Sequence, residues 1–199
     1  MTLVVEALSV AHQPRLFALF EAADSQCYCR WFHFEGDKND WLETVALRHE
    51  ENRAWLAGEL LAGRTSARGL VAVDEAGAIV GWLKLLSRDA ADKVYRQRYY
   101  RGLAIATSAG AETAHLSCAL VHPLARRRGV LARLIDGAVA LAPTMGFSAL
   151  VAFPRTTHRE TMRDDELYTL PTEALLAAGF TAVEGDEPYP VLRRLVVTQ

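Results

Sequence analysis

The chain is 199 residues long, 51% hydrophobic and 23% charged, proportions that exclude intrinsic disorder, a collagen-like repeat and a disulfide scaffold. Its 22 Lys and Arg against 24 Asp and Glu leave a formal charge of −2, so no global field draws in nucleic acid or an anionic membrane, and any anion site must be local. A chain of this length buries about 70% of the surface its unfolded form exposes and needs no covalent staples.

Residues 3–9 are predicted as an opening strand, and Pro14 with Leu16, Phe17, Leu19 and Phe20 starts a helix. The aromatic-rich stretch 27–34 is predicted to be extended. Asn39 is the predicted cap of one long helix running past Trp55 to Leu61, where Gly63 stops it. Two apolar runs, 69–74 and 79–86, flank a short Gly-containing loop and predict an antiparallel hairpin. Residues 88–102 interleave Arg96, Arg98 and Arg101 with Tyr95, Tyr99 and Tyr100, and the small residues of 104–111 predict a flexible loop.

A strand is predicted over 114–121, ended by Pro123, and a helix over 129–142 with Leu131, Leu134, Ile135, Ala138 and Leu141 on one face. Pro143 and Gly146 close that helix. A buried-type strand at 149–153, a short helix at 172–178 stopped by Gly179, and strands at 180–183 and 191–197 complete the series. Hairpins mixed with strand-helix-strand units predict an α/β fold with a mixed sheet.

Cys27, Cys29 and Cys118 make an odd count without a C-x-x-C pair, which points to a reducing compartment, the cytoplasm. No signal peptide is legible and charges interrupt every apolar run well before 18 residues, so no membrane segment is expected. Cys27-x-Cys29 with His33 lacks the second ligand pair of a structural zinc site, and no metal is expected. Cys118, in the middle of an apolar strand, reads as a small core side chain.

The segment richest in chemistry is Val121-His-Pro-Leu-Ala-Arg126-Arg-Arg-Gly129-Val-Leu131: a strand end, a proline turn, a basic loop and a helix start. The first N–H groups of a helix have no intrahelical acceptor, the helix dipole favours negative charge there, and glycine lets backbone approach a ligand closely. The dipole contributes only ~0.3–2 kcal/mol, so Arg126, Arg127 and Arg128 must supply local charge. A diphosphate suits that need; a solvated, charged helix start is the alternative reading.

Arg126-x-x-Gly129 resembles the cofactor loop of the GNAT superfamily of acyl-CoA-dependent N-acetyltransferases. Leu131 stands where that loop carries a second small residue, and Ala132 follows it. Cys27-Tyr-Cys29, Glu51-Asn-Arg, Val80-Gly-Trp82, Phe153-Pro154, Tyr168, Ala178-Gly-Phe180 and Pro190-Val-Leu-Arg193 extend the resemblance over most of 25–195, towards a poorly characterised bacterial branch.

The resemblance implies a single GNAT-type domain over 1–199. Its mixed, mostly antiparallel sheet would carry helices on both faces and a splayed parallel strand pair. It implies acetyl-CoA as cosubstrate, held by the backbone at Ala119, Leu120 and Val121 and by the Arg126, Arg127, Arg128, Gly129, Val130 and Leu131 loop. It also implies an amine acceptor, with neither nucleic acid nor membrane as partner; a homodimer is left open. His115 falls where some members carry a glutamate base, and a hydrogen-bonded structural histidine is the alternative. A tyrosine acid is common four residues before the Gly-Phe ending of the last helix; Leu175 stands there, and Tyr168 is the nearest replacement. The expected reaction is direct attack of a small-molecule amine on the thioester. The rival readings are a non-catalytic acyl-CoA sensor and a transferase for longer acyl chains. Tyr95 to Arg101 is either a wall of an acceptor pocket for an acidic or aromatic substrate or a solvated amphipathic helix.

Overall fold

The computed structural model describes residues 2–156 and 169–196. Val4–Ala7 forms β1 and Gln13–Ala22 forms α1, with Pro14 in the first turn, where its missing N–H costs nothing. The stretch predicted as one long helix is two, α2 (Lys38–Leu47) and α3 (His49–Leu61). They part at Arg48, whose φ and ψ of −134° and 33° leave the helical region. The cap is Asp37 and not Asn39: one carboxylate oxygen of Asp37 accepts the N–H groups of Asn39 and Asp40 at 2.7 and 3.0 Å.

Residues 27–34 are not extended. Tyr28 and Cys29 take left-handed φ values of 45° and 54° and lead into a 3-10 turn over Arg30–His33. A strand sends its side chains to two faces only, whereas Tyr28 packs on Phe20 at 4.8 Å while Trp31 and Phe34 turn towards Trp41 at 5.4 and 5.1 Å.

The predicted hairpin forms β2 (Gly69–Val73) and β3 (Ile79–Ser87). Residues 88–102 carry a single-turn helix, α4 (Asp92–Tyr95), and 104–111, read as a loop, carries another, α5 (Ile105–Ser108), because Tyr95, Tyr100 and Ile105 are buried and pull both stretches onto the sheet. The remaining elements are β4 (Thr113–Val121), α6 (Val130–Leu141), β5 (Ala149–Ala152), α7 (Thr172–Ala177), β6 (Thr181–Glu184) and β7 (Val191–Leu195).

The strands form one seven-stranded sheet in the order β1-β2-β3-β4-β5-β7-β6. The β4–β5 pair is parallel and the other pairs are antiparallel. On one face Leu83, Leu85 and Leu116 meet Leu134 and Ile135 of α6 together with Leu175 of α7. On the other, Trp82 meets Leu16 and Phe20 of α1 and Leu56 of α3, and further along Leu86 and Val151 meet Tyr95, Tyr100 and Phe153. Among the described residues no helix is long and apolar enough to cross a membrane.

Candidate functional site

The site begins with an irregularity in the central ladder. Lys84 of β3 lies opposite Cys118 of β4 and the next residue, Leu85, lies opposite Leu116, so Ser117 is an extra residue in β4. Its hydroxyl donates to the Lys84 carbonyl at 3.3 Å. A bulge of this kind bends its strand, reverses the facing of the residues beyond it and can end pairing with a neighbour. All three effects coincide here. Pairing of β4 with β5 runs from Thr113 opposite Ala149 to Leu116 opposite Ala152 and stops at the bulge. Beyond it Ala119 and Val121 face α6, and Cys118 and Leu120 face the α1 side. The β5-side backbone of 117–121 therefore borders a gap between two parallel strands.

The basic loop closes the end of that gap. Gly129, at φ 79°, is the N-cap of α6 and adopts the left-handed conformation that glycine tolerates at no steric cost. Arg127 adopts φ 59° just before it. The amides of Val130, Leu131 and Ala132 open the helix and have no intrahelical acceptor. Arg126 is tied back to the end of β4 by a 3.4 Å hydrogen bond from Nε to the Val121 carbonyl. The helix start is pressed onto the sheet at Gly81, where a Cβ would lie 2.6 Å from Val130 Cγ1 and 2.9 Å from Leu134 Cδ1.

These parts line one cleft of about 1390 Å³. Of the residues singled out in the sequence, Ala119, Leu120, Val121, Arg126, Arg127, Gly129, Val130 and Leu131 are on its wall. Arg128 is exposed on the loop and is not on the wall. His115 is not brought to the cleft either. It precedes the bulge, is 2% exposed, and lies edge-on to the rings of Phe153 and Tyr95, at 4.9 and 6.1 Å. Burial pushes its imidazole down to about 3, so the ring is neutral near pH 7, and its Nδ1 has no hydrogen-bond partner. Tyr168 lies outside the described residues, and Leu175 is fully buried in α7.

Sequence reasoning reached the opposite end of the cleft only through Tyr95–Arg101, of which Arg96 and Gln97 are on the wall. Trp31 and Phe32 of the 3-10 turn, Lys38, Trp41, Leu42 and Val45 of α2, and Lys93, Arg96 and Gln97 in and after α4 are on its wall. Lys93 Nζ donates to the carbonyls of Trp31 at 3.0 Å and Phe34 at 2.8 Å and sits 3.6 Å from the centroid of the Trp31 ring. The density of Trp and Phe between 31 and 41 was the available signal, but only folding shows that the turn and α2 meet α4.

The three thiols are free, and all are on the cleft wall. Trp82 Nε1 donates to Cys29 Sγ at 3.3 Å. Hydrogen bonding among the thiols, then burial, raises Cys27 and Cys29 above the usual thiol range, so both stay protonated at neutral pH. Lys84 is fully buried behind them, donates to the Ser66 carbonyl, and is pushed down by burial, with the thiols opposing. Among the described residues no group of three or more His, Cys, Asp or Glu is arranged to hold a metal ion.

The acetyltransferase (GNAT) family model matches residues 28–169. No curated protein matches the sequence. Among solved structures, the chain is similar to the PaiA N-acetyltransferase of Thermoplasma acidophilum in complex with coenzyme A. The TM-score there is 0.55 at 12% identity, over 98% of this chain and 99% of that one. It is similar to a phosphinothricin acetyltransferase of Sinorhizobium meliloti in complex with acetyl-CoA, with a TM-score of 0.54 at 16% identity over 98% and 89%. A GCN5-related N-acetyltransferase of Kribbella flavida gives 0.53 at 19% identity over 97% of each chain. At these identities the likeness is one of fold.

Proposed function

Because the chain belongs to the GNAT acetyltransferase family, we propose that its cleft binds acetyl-CoA and transfers the acetyl group to a primary amine of a small molecule. One observation carries this reading: the unpaired backbone of 117–121 and the amide-rich, basic turn at 126–131 open into the same cleft. The structures of PaiA and of the Sinorhizobium phosphinothricin acetyltransferase hold coenzyme A and acetyl-CoA respectively, which supports the same ligand here.

In this reading the amides of Val130, Leu131 and Ala132, with Arg126 and Arg127, receive the diphosphate, as orphan helix amides and guanidinium groups suit a dianion. Arg128 contributes from the exposed side of the loop by charge alone. The free edge of β4 takes the peptide-like pantetheine arm by strand addition, through the backbone of Ala119, Leu120 and Val121. Acetyl-CoA supplies an activated thioester. The chain's own share is to hold the arm straight along the gap, to exclude water with Leu120, Trp31 and Phe32, and to aim a β4 amide near Leu120 at the reacting carbonyl oxygen. With His115 sealed away, proton removal from the amine falls to groups on the cleft wall or to water. The expected step remains direct attack of the amine on the thioester, with Cys118 packed among apolar neighbours as a small core side chain.

Calorimetric titration with CoA and acetyl-CoA tests the reading. Saturable binding that weakens on replacing Arg126, together with steady CoA release when amines are added, is the expected result. Binding without turnover across a broad amine panel would favour an acyl-CoA sensor, and tighter binding of longer acyl-CoAs a different donor.

A further inference from the structure

The cleft has two ends. The basic loop follows Val121, which lies opposite Gly81, whereas α4 follows β3 beyond Ser87, which lies opposite Ala114. The six steps of β3 from Gly81 to Ser87 span about 20 Å, so α4 and the diphosphate loop stand at opposite ends of one ladder. In the reading proposed above, the α4 end receives the acceptor.

That end has a definite chemistry. Trp31, Phe32, Trp41 and Leu42 form apolar walls, and the charged side chains joining them are Lys38, Lys93 and Arg96. Among the described residues, the acidic ones on the cleft wall are Asp24, just past the end of α1, and Glu173, in the first turn of α7. Asp92, behind the wall, takes Arg96 Nε at 2.6 Å and Arg88 at 3.4 Å. Among the described residues of the wall at this end, Lys38, Lys93 and Arg96 outnumber Asp24. Lys93 spends two of its three N–H donors on the carbonyls of Trp31 and Phe34. A third remains on an ammonium fixed at the aromatic wall.

We infer that the acceptor is a small primary amine carrying a carboxylate or similar anionic group on an apolar, preferably aromatic, body, in the manner of an aromatic amino acid. The rings of Trp31 and Trp41 receive the body, and Lys93 and Arg96 receive the anionic group through charge-assisted hydrogen bonds. Polyamines and aminoglycosides are disfavoured, since each additional ammonium enters a cleft end with excess positive charge. The same field favours the neutral, nucleophilic form of the reacting amine by disfavouring its ammonium form.

The inference rests on the acetyl-CoA reading, and paired acceptors separate the two. Initial rates of CoA release are measured with phenylalanine against 2-phenylethylamine, tryptophan against tryptamine, and spermidine and kanamycin as polycations. Binding of N-acetyltryptophan and N-acetyltryptamine to CoA-saturated protein is measured by calorimetry. The expected result is at least a tenfold preference in kcat/KM, or in affinity, for the carboxylated member of each pair. Arg96→Gln should shrink that preference by about tenfold through KM, the size of one lost charged hydrogen bond. Lys93→Gln should act likewise; if loosening Trp31 and Phe34 unfolds the Lys93 variant, Arg96→Gln keeps the test open. Protein that saturates with CoA but prefers the amines without carboxylate, prefers spermidine or kanamycin, or binds neither N-acetyl compound overturns the acceptor class alone. Protein that shows no saturation with CoA overturns both.

Discussion

Lys84 and Cys118 face each other across β3 and β4, with Leu85 and Leu116 as the next facing pair, and the residue between the two pairs, Ser117, has no opposite number. That single extra residue ends the β4–β5 ladder and turns Cys118 and Leu120 to the α1 side. Deleting Ser117 should restore regular alternation with Leu116 still facing α6 and Cys118 still facing α1, let β4 continue its pairing with β5, and weaken CoA binding at least tenfold. Calorimetry on protein with a retained circular-dichroism spectrum checks this; unchanged affinity would show that the bulge does not open the edge.

Arg127 and Gly129 both hold positive φ, yet they should respond differently to substitution. Arg127→Gly removes a charge while relieving a left-handed residue, so CoA affinity should fall about tenfold with stability held or slightly raised. Gly129→Ala keeps every charge and meets no neighbouring atom within 4 Å, so it should cost about 1 kcal/mol through conformation. Thermal melts alongside CoA titration distinguish the two.

A side chain at position 81 would push α6 away from the sheet. Gly81→Val meets Val130 Cγ1 and Leu134 Cδ1 below 3 Å, and overpacking of this kind costs about 1–3 kcal/mol. The displaced helix start should also lose CoA affinity. A lowered Tm with intact affinity would separate the packing of α6 from its part in the site.

His115 should govern acid stability. Its ring is pushed down to about 3 by burial, against an ordinary value near 6.5 in the unfolded chain. Between those two values the unfolded chain binds the extra proton, so stability rises with pH through this window and is fully present above about 6.5. His33, held at about 4 first by burial and then by Lys84, adds the same sign over a narrower range. One such group sets a slope of at most about 1.4 kcal/mol per pH unit. His115→Leu should flatten the dependence of Tm on pH between 4 and 6, and a slope equal to that of the parent would refute the assignment.

The cap of α2 gives a local test of the acceptor end. Asp37→Ala removes the acceptor for two helix amides and should cost about 1 kcal/mol. Because Trp41 and Leu42 ride on that helix, KM for the amine should rise while CoA affinity holds.

The sequence by itself determined the order of the seven strands and the places of α1, α6 and α7, the hairpin, and the strand-loop-helix segment at 121–131. Each is set by neighbours a few residues apart: alternation, helical spacing, Gly and Pro at turns, arginines before a helix start. It also carried the resemblance that the family match bears out. Only the tertiary structure decided which face each residue takes. His115 and Cys118, three residues apart in one strand, would face opposite sides of the sheet by alternation alone; the bulge at Ser117 puts both on the α1 side, His115 in a sealed aromatic pocket and Cys118 on the cleft wall. The acceptor end was equally hidden, because Trp31, Trp41 and Lys93 are joined by ring contacts and by hydrogen bonds to backbone carbonyls across a separation of 62 residues. Contacts of that range leave no periodicity in the sequence; they exist only once the sheet has brought the segments together.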